Sequence, residues 1–129
     1  MGKAFFPRKP AIRPLEGADY VLAQRFYFPV TVCGWKVTVL VMPGFRTDGA
    51  SIPRLLWRVL GHPFEADTIG AAVRHDYAYQ TGRVPRKDAD AAFYDNLRAD
   101  GVGAVKARLF YFGVRMFGGR HYNNKKGTT

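Results

Sequence analysis

Apolar and polar positions alternate with a period of two from Val30 to Met42, which predicts a β-strand. Cys33, Trp35, Val37, Val39 and Val41 fall on one side of it, Lys36 and Thr38 on the other. The preceding run, Asp19 to Phe28, is rich in Tyr, Val, Leu and Phe, residue types that favour strands. Pro29 and Gly34 bracket the predicted turn, so the two runs form an antiparallel β-hairpin that part of the preceding arm can extend. Pro43-Gly44 ends the sheet, and the pattern then becomes helical.

Four helical segments follow. Pro53 to Leu60 is short, with Trp57 and Leu60 directed to the core. Phe64 to Gln80 is apolar or small nearly all round, as a buried helix is. Pro85 to Asp100 starts on a proline, whose missing N–H is harmless there, and stops at Gly101. Asp88 near its start suits the helix dipole and reads as structural. The last helix, from about Val102 to Phe117, places Val102, Val105, Leu109, Phe112 and Met116 at spacings of three and four. That spacing predicts a core-facing stripe. Lys106, Arg108 and Arg115 fall away from it, as a solvated basic face or an interfacial patch.

The pattern therefore predicts an α+β fold: an N-terminal antiparallel hairpin, then three or four helices, two of them long and antiparallel. Residues 1–18 read as an extended, proline-rich arm, 19–119 as one domain, and 120–129 as a basic flexible tail.

Composition narrows the class. The 129 residues are 47% hydrophobic and 15% aromatic, enough for a packed core. A single cysteine, Cys33, excludes an internal disulfide framework; in its strand-like run it reads as a small buried hydrophobe. No apolar run approaches the roughly 18 residues that span a bilayer. The N-terminus lacks the apolar segment of a signal peptide, and Phe6 breaks the myristoylation pattern. The expected location is the cytoplasm of the cell that makes it, unless a larger assembly or a lysis event carries the protein out. A net charge of +10 and a pI of about 10.1 favour anionic partners: lipid headgroups, nucleic acid or an acidic protein surface. Nucleic acid is the weakest of these, since no recognition helix or aromatic stacking motif accompanies the charge.

Candidate chemistry sits in the two long helices. His75 and Tyr79 are four apart and share a helix face, with Asp76 at its edge. In the next helix Asp90 shares the face of Phe93 and Leu97. Two helices joined by about five residues pack antiparallel, which brings Asp90 opposite His75. The expected contact is a His75 nitrogen about 2.6–3.2 Å from an Asp90 oxygen, with Asp76 pointing elsewhere. The loop before these helices, Phe45 to Ile52, offers two readings. Asp48 and Ser51 cap the short helix, or the loop turns backbone oxygens toward Asp76 to complete a cation site. His62 reads as a solvated loop residue and His121 as part of the tail.

Two resemblances rest on these residues. His75-Asp76-Tyr77-Ala78-Tyr79 resembles the His-Asp-x-x-Tyr helix of secreted phospholipases A2. It is closer still to the phospholipase domain of parvovirus capsid proteins, where an Ala-Asp-x-x-Phe helix follows, as Ala89-Asp90-Ala91-Ala92-Phe93 does here. The lead-in Pro63 to Asp67, with Ala71-Ala72, is similar too. Over about residues 20–119, the run Pro43-Gly44-Phe45-Arg46-Thr47-Asp48-Gly49-Ala50-Ser51-Ile52-Pro53-Arg54 and both helices resemble a family of small phage and prophage proteins of unknown function, the DUF1353 type.

The resemblances imply a phage-encoded, calcium-assisted phospholipase A2-like esterase acting on bacterial membrane phospholipid. In it His75 is the general base, Asp90 fixes the imidazole tautomer, and Tyr79 hydrogen-bonds Asp90. Asp76, with backbone of Asp48, Gly49 and Ala50, holds Ca2+. The Tyr-Gly start of the phospholipase calcium loop is absent here. The alternative is a non-enzymatic virion component, a tail or tail-tip protein, that keeps the helix pair as a structural network and binds other virion proteins.

Overall fold

The computed structural model describes residues 10–14, 20–47, 54–61 and 67–122. Antiparallel strands come first and four α-helices follow, an α+β arrangement. Strands β1 (Ile12–Pro14), β2 (Tyr20–Leu22) and β5 (Arg46–Thr47) form one sheet in the order β1-β2-β5. Strands β3 (Phe26–Val32) and β4 (Trp35–Val41) pair separately as a hairpin.

The hairpin is where the alternation predicts one, but its turn lies elsewhere. Cys33 and Gly34 form a two-residue loop between Val32 and Trp35, both at positive φ (52° and 85°). That is the primed turn whose twist matches paired strands. Pro29 lies inside β3, opposite Thr38. Counting outward from the turn, this is a non-hydrogen-bonded position, so the missing N–H removes no ladder bond. One side-chain expectation fails with the turn. Cys33 is exposed rather than buried, and Trp35 and Val37 face solvent, with Trp35 76% accessible. At the base of the hairpin Phe26, Phe28, Val30 and Val41 are buried in the core, and Val32 and Val39 pack against it partly buried. The expected arm also contributes more than an extension, because residues 12–14 form a full edge strand on β2.

The helices are α1 (Arg54–Leu60), α2 (Ile69–Thr81), α3 (Arg86–Ala99) and α4 (Ala104–Phe117). Helix α2 lies between two core clusters, which is why its sequence is apolar on all sides. Val73, Ala78 and Tyr79 pack toward the hairpin, with Leu22, Phe26, Phe28 and Val41. Ala71 and Ala72 pack toward α3 and α4, with Phe93, Leu97, Phe110 and Val114. Gly82 ends α2 in the left-handed conformation (φ 66°), where a side chain would be strained. Four residues later α3 begins, so the two helices form a tight helical hairpin. Trp57 and Leu60 of α1 pack against the second cluster, as expected.

Helix α4 is turned over relative to the reading of its sequence. Ala107, Phe110, Gly113 and Val114 face the core, while Val105, Leu109, Phe112 and Met116 are exposed. Both sets have helical spacing, and packing against α3 selects the smaller one because Ala107 and Gly113 allow close approach. Directly after α4 the described residues are folded back, while residues 123–129 of the expected tail lie outside them. Gly119–His121 form a 3-10 turn, His121 is exposed, and Tyr122 packs back on the core. Its hydroxyl donates to the Val84 carbonyl at 2.7 Å. No helix among the described residues is long and apolar enough to cross a membrane.

Candidate functional site

The helical hairpin brings three of the expected residues together. His75 Nε2 lies 2.7 Å from Asp90 Oδ1, and the Tyr79 hydroxyl donates to the same oxygen at 2.6 Å. Tyr79 follows His75 by one helical turn, so both reach Asp90 across the α2–α3 seam. The imidazole is held between rings, 4.1 Å from Tyr79 and 4.6 Å from Phe93 by centroid. An ionised Asp90 only accepts, so Nε2 carries the proton and Nδ1 becomes the basic nitrogen of neutral His75.

Two arginines complete the network, and the sequence reading assigned neither to it. Arg115 reaches from α4 to donate to Asp90 Oδ2 at 2.9 Å. Arg86 donates through Nε to the Tyr79 hydroxyl at 3.0 Å, and its Nε lies 3.8 Å from Asp90 Oδ2. Its Nη2 donates to the carbonyls of Val114 and Arg115, at 2.7 and 2.6 Å, and so ties down the last turn of α4. Arg86 was within reach of sequence reasoning, being four residues before Asp90 on one helix. Arg115 was not, because only the tertiary packing of α4 brings it near.

Burial pushes the Asp90 carboxyl up, but the hydrogen bonds from His75, Tyr79 and Arg115, with the charge of His75 when it is protonated, outweigh it. The group therefore titrates below the ordinary carboxylate value. Burial, then the Asp90 hydrogen bond and charge, push the Tyr79 hydroxyl up, which keeps it a neutral donor. A depressed carboxyl stabilises the fold fully above its unfolded pKa of about 4, and the contribution is lost as pH falls through the lower folded value. Melting temperature should thus fall steeply below about pH 4, and Asp90→Asn should remove much of that acid limb. Acid limbs of equal depth in both proteins, measured by circular dichroism, would contradict this assignment.

Asp76 points away from the dyad, toward the sheet. It is buried, and its Oδ2 accepts a hydrogen bond from Thr47 Oγ1 at the end of β5. Asp48, Gly49 and Ala50, expected to share a cation with it, lie outside the described residues, as do Ser51 and His62. Among the described residues no three His, Cys, Asp or Glu side chains converge as a metal site. Next to His75 in the chain, Arg74 is also buried, its guanidinium 5.2 Å from the Phe26 ring and 5.8 Å from that of Phe28.

His75 itself is only 2% exposed. A void of about 10 Å³ adjoins it, lined by apolar side chains of β3, α2 and α3 together with Arg74 and Asn96. That is room for one water molecule.

The residues of this network can be set against known sequences. The model for a protein family of unknown function, DUF1353, matches residues 25–114. This chain belongs to the DUF1353 family. The matched span holds His75, Asp76, Tyr79, Arg86 and Asp90; Arg115 lies just past it. Two relatives of the DUF1353 chain come from Sinorhizobium fredii (strain NBRC 101917 / NGR234), and both are called uncharacterized proteins. The first, y4jT, is 41% identical over 78 residues, 60% of this chain and 23% of the relative. The second, y4iH, is 41% identical over 108 residues, 83% of this chain and 44% of the relative. The chain thus spans less than half the length of either relative it matches. No solved structure matches it.

Proposed function

We propose that this DUF1353 chain is a phage-encoded, phospholipase A2-like hydrolase that cleaves an acyl ester of bacterial membrane phospholipid. The observation that carries the reading is the 2.7 Å contact between His75 Nε2 and Asp90, with Tyr79 on the same oxygen. A carboxylate fixed on one imidazole nitrogen makes the other a directed general base. His75 Nδ1 takes a proton from water, and the oxygen adds to the ester carbonyl carbon. The tetrahedral intermediate then collapses, its C–O bond to the glycerol oxygen breaks, and the imidazolium returns the proton to that oxygen. Fatty acid and lysophospholipid are the products. Tyr79 and Arg115 hold Asp90 ionised and in place, and Arg86 holds Tyr79.

The cation belongs to the proposal rather than to the described geometry. Asp76, with backbone oxygens of Asp48, Gly49 and Ala50, would hold calcium, which when bound polarises an ester carbonyl. Millimolar calcium should then raise the melting temperature, since a ligand that binds only the native state stabilises it. Asp76→Asn should abolish the rise. No shift with calcium, magnesium or manganese would leave Asp76 as a structural partner of Thr47.

One observation favours a second reading, and it is the burial of His75. A base walled in by Phe93 and Tyr79 suits a phage virion component, a tail or tail-tip protein in which the same network only locks α2, α3 and α4 together. Monomeric short-chain phosphatidylglycerol separates the two. The hydrolase reading expects calcium-dependent fatty-acid release below the micelle threshold, and absence of release from any short-chain phospholipid would favour the virion component.

A further inference from the structure

The outward face of α4 needs an explanation that the core does not supply. Val105, Leu109, Phe112 and Met116 form a stripe at spacings of four, three and four, and Val105 and Met116 are 74% and 72% exposed. Exposed Phe117 extends it at the C-terminal end. Buried Phe110, Val114, Ala107 and Gly113 already serve the opposite side, so the stripe does not belong to the fold. Helix α4 carries no acidic residue, and its three charges are all positive. Arg108 and Arg115 border the stripe along one edge and Lys106 lies toward the other. Helix α1, which packs against the same core cluster, adds two exposed apolar residues one turn apart, Leu55 and Val59, with exposed Arg58 between them.

We propose that this face of α4 docks on phospholipid bilayers rich in anionic headgroups, with the stripe entering the acyl boundary and Arg108, Lys106 and Arg115 meeting the phosphates. The arrangement is that of an interfacial helix, apolar in the middle and basic at its border. Charge complementarity selects the occupant. A second copy packed on this face about a two-fold axis would set the basic borders of the two helices against each other, and α4 carries no acid to balance them. A nucleic acid would meet a strip of Val, Leu, Phe and Met that offers its phosphates nothing. An anionic leaflet satisfies both parts of the face at once. The docking deepens the hydrolase reading and rests on it for its purpose, because the docked face is linked to the dyad through one side chain. Arg115 borders the stripe and donates to Asp90.

Sedimentation of the full chain with vesicles tests the docking apart from catalysis. Vesicles of phosphatidylglycerol and phosphatidylethanolamine should bind it, pure phosphatidylcholine vesicles should not, and raised salt should weaken the binding. Leu109→Asp with Phe112→Asp should lower binding at least tenfold, and Arg108→Ala about fivefold, the effect of one basic side chain at an anionic surface. These residues are exposed, so unchanged melting temperatures should show that the variants fold. His75→Ala should bind like the wild type; if so, the docking stands whether or not the ester is cleaved. Equal binding by the double variant and the wild type would overturn the proposal. So would a dimer in sedimentation velocity that Leu109→Asp/Phe112→Asp dissociates, since the face would then belong to a second copy.

Discussion

Replacing Asp90 by Leu should destabilise the fold by about 3–5 kcal/mol, the usual cost of removing one partner from a buried, charged network. Asp90 is fully buried and accepts from His75, Tyr79 and Arg115. Its loss leaves an imidazole and a phenol without their acceptor in a buried site. Arg115 is partly exposed and recovers some hydration, so the loss falls mainly on His75 and Tyr79. For a domain of this size the change corresponds to a fall in melting temperature of about 10 °C or more. Urea denaturation at pH 7 measures it directly. A loss below about 1 kcal/mol would mean that the network contributes little to holding α2, α3 and α4 together.

The second large effect concerns catalysis rather than stability. His75→Ala should lower ester hydrolysis by about 10²-fold or more, the typical contribution of a positioned general base. Tyr79→Phe should be milder, since Asp90 keeps His75 and Arg115 as donors. Asp90→Asn retains the shape of the side chain but loses its charge. It should lower the rate while shifting its pH dependence, because an amide no longer stabilises the imidazolium. A structural network predicts none of this ordering. Rates equal to background in the wild type and every variant would place the same residues in a purely architectural role.

How much of this was legible in the sequence depended on how local each feature is. His75 and Tyr79 one turn apart, a short connection, and Asp90 on the apolar face of the next helix suffice to bring the three together. The residues that steady Asp90 from α4 were not legible. Arg115 read as part of a basic surface because hydrophobic period alone does not specify which way α4 turns. The same ambiguity reversed the helix itself. Its sequence carries two stripes of helical period, and hydrophobicity alone favoured the larger, which lies outside. Small residues were the missed signal: Ala107 and Gly113 mark the side that approaches another helix. In the hairpin, Pro29 looked like a turn former, yet the two-residue loop at Cys33-Gly34 sets the register, and a two-stranded ribbon tolerates proline at a non-hydrogen-bonded position. Asp76 points away from the dyad as expected, and it accepts from the Thr47 hydroxyl, one residue before the loop proposed to hold the cation.

The measurement that bears most directly on the central claim is fatty-acid release from phosphatidylglycerol vesicles with calcium present. Wild-type protein and His75→Ala would be compared at concentrations where both bind the vesicles equally. The His75–Asp90 base predicts steady release by the wild type and a rate at least about 10²-fold lower for His75→Ala at unchanged binding. Equal rates, or no release by the wild type from any phospholipid, would contradict it.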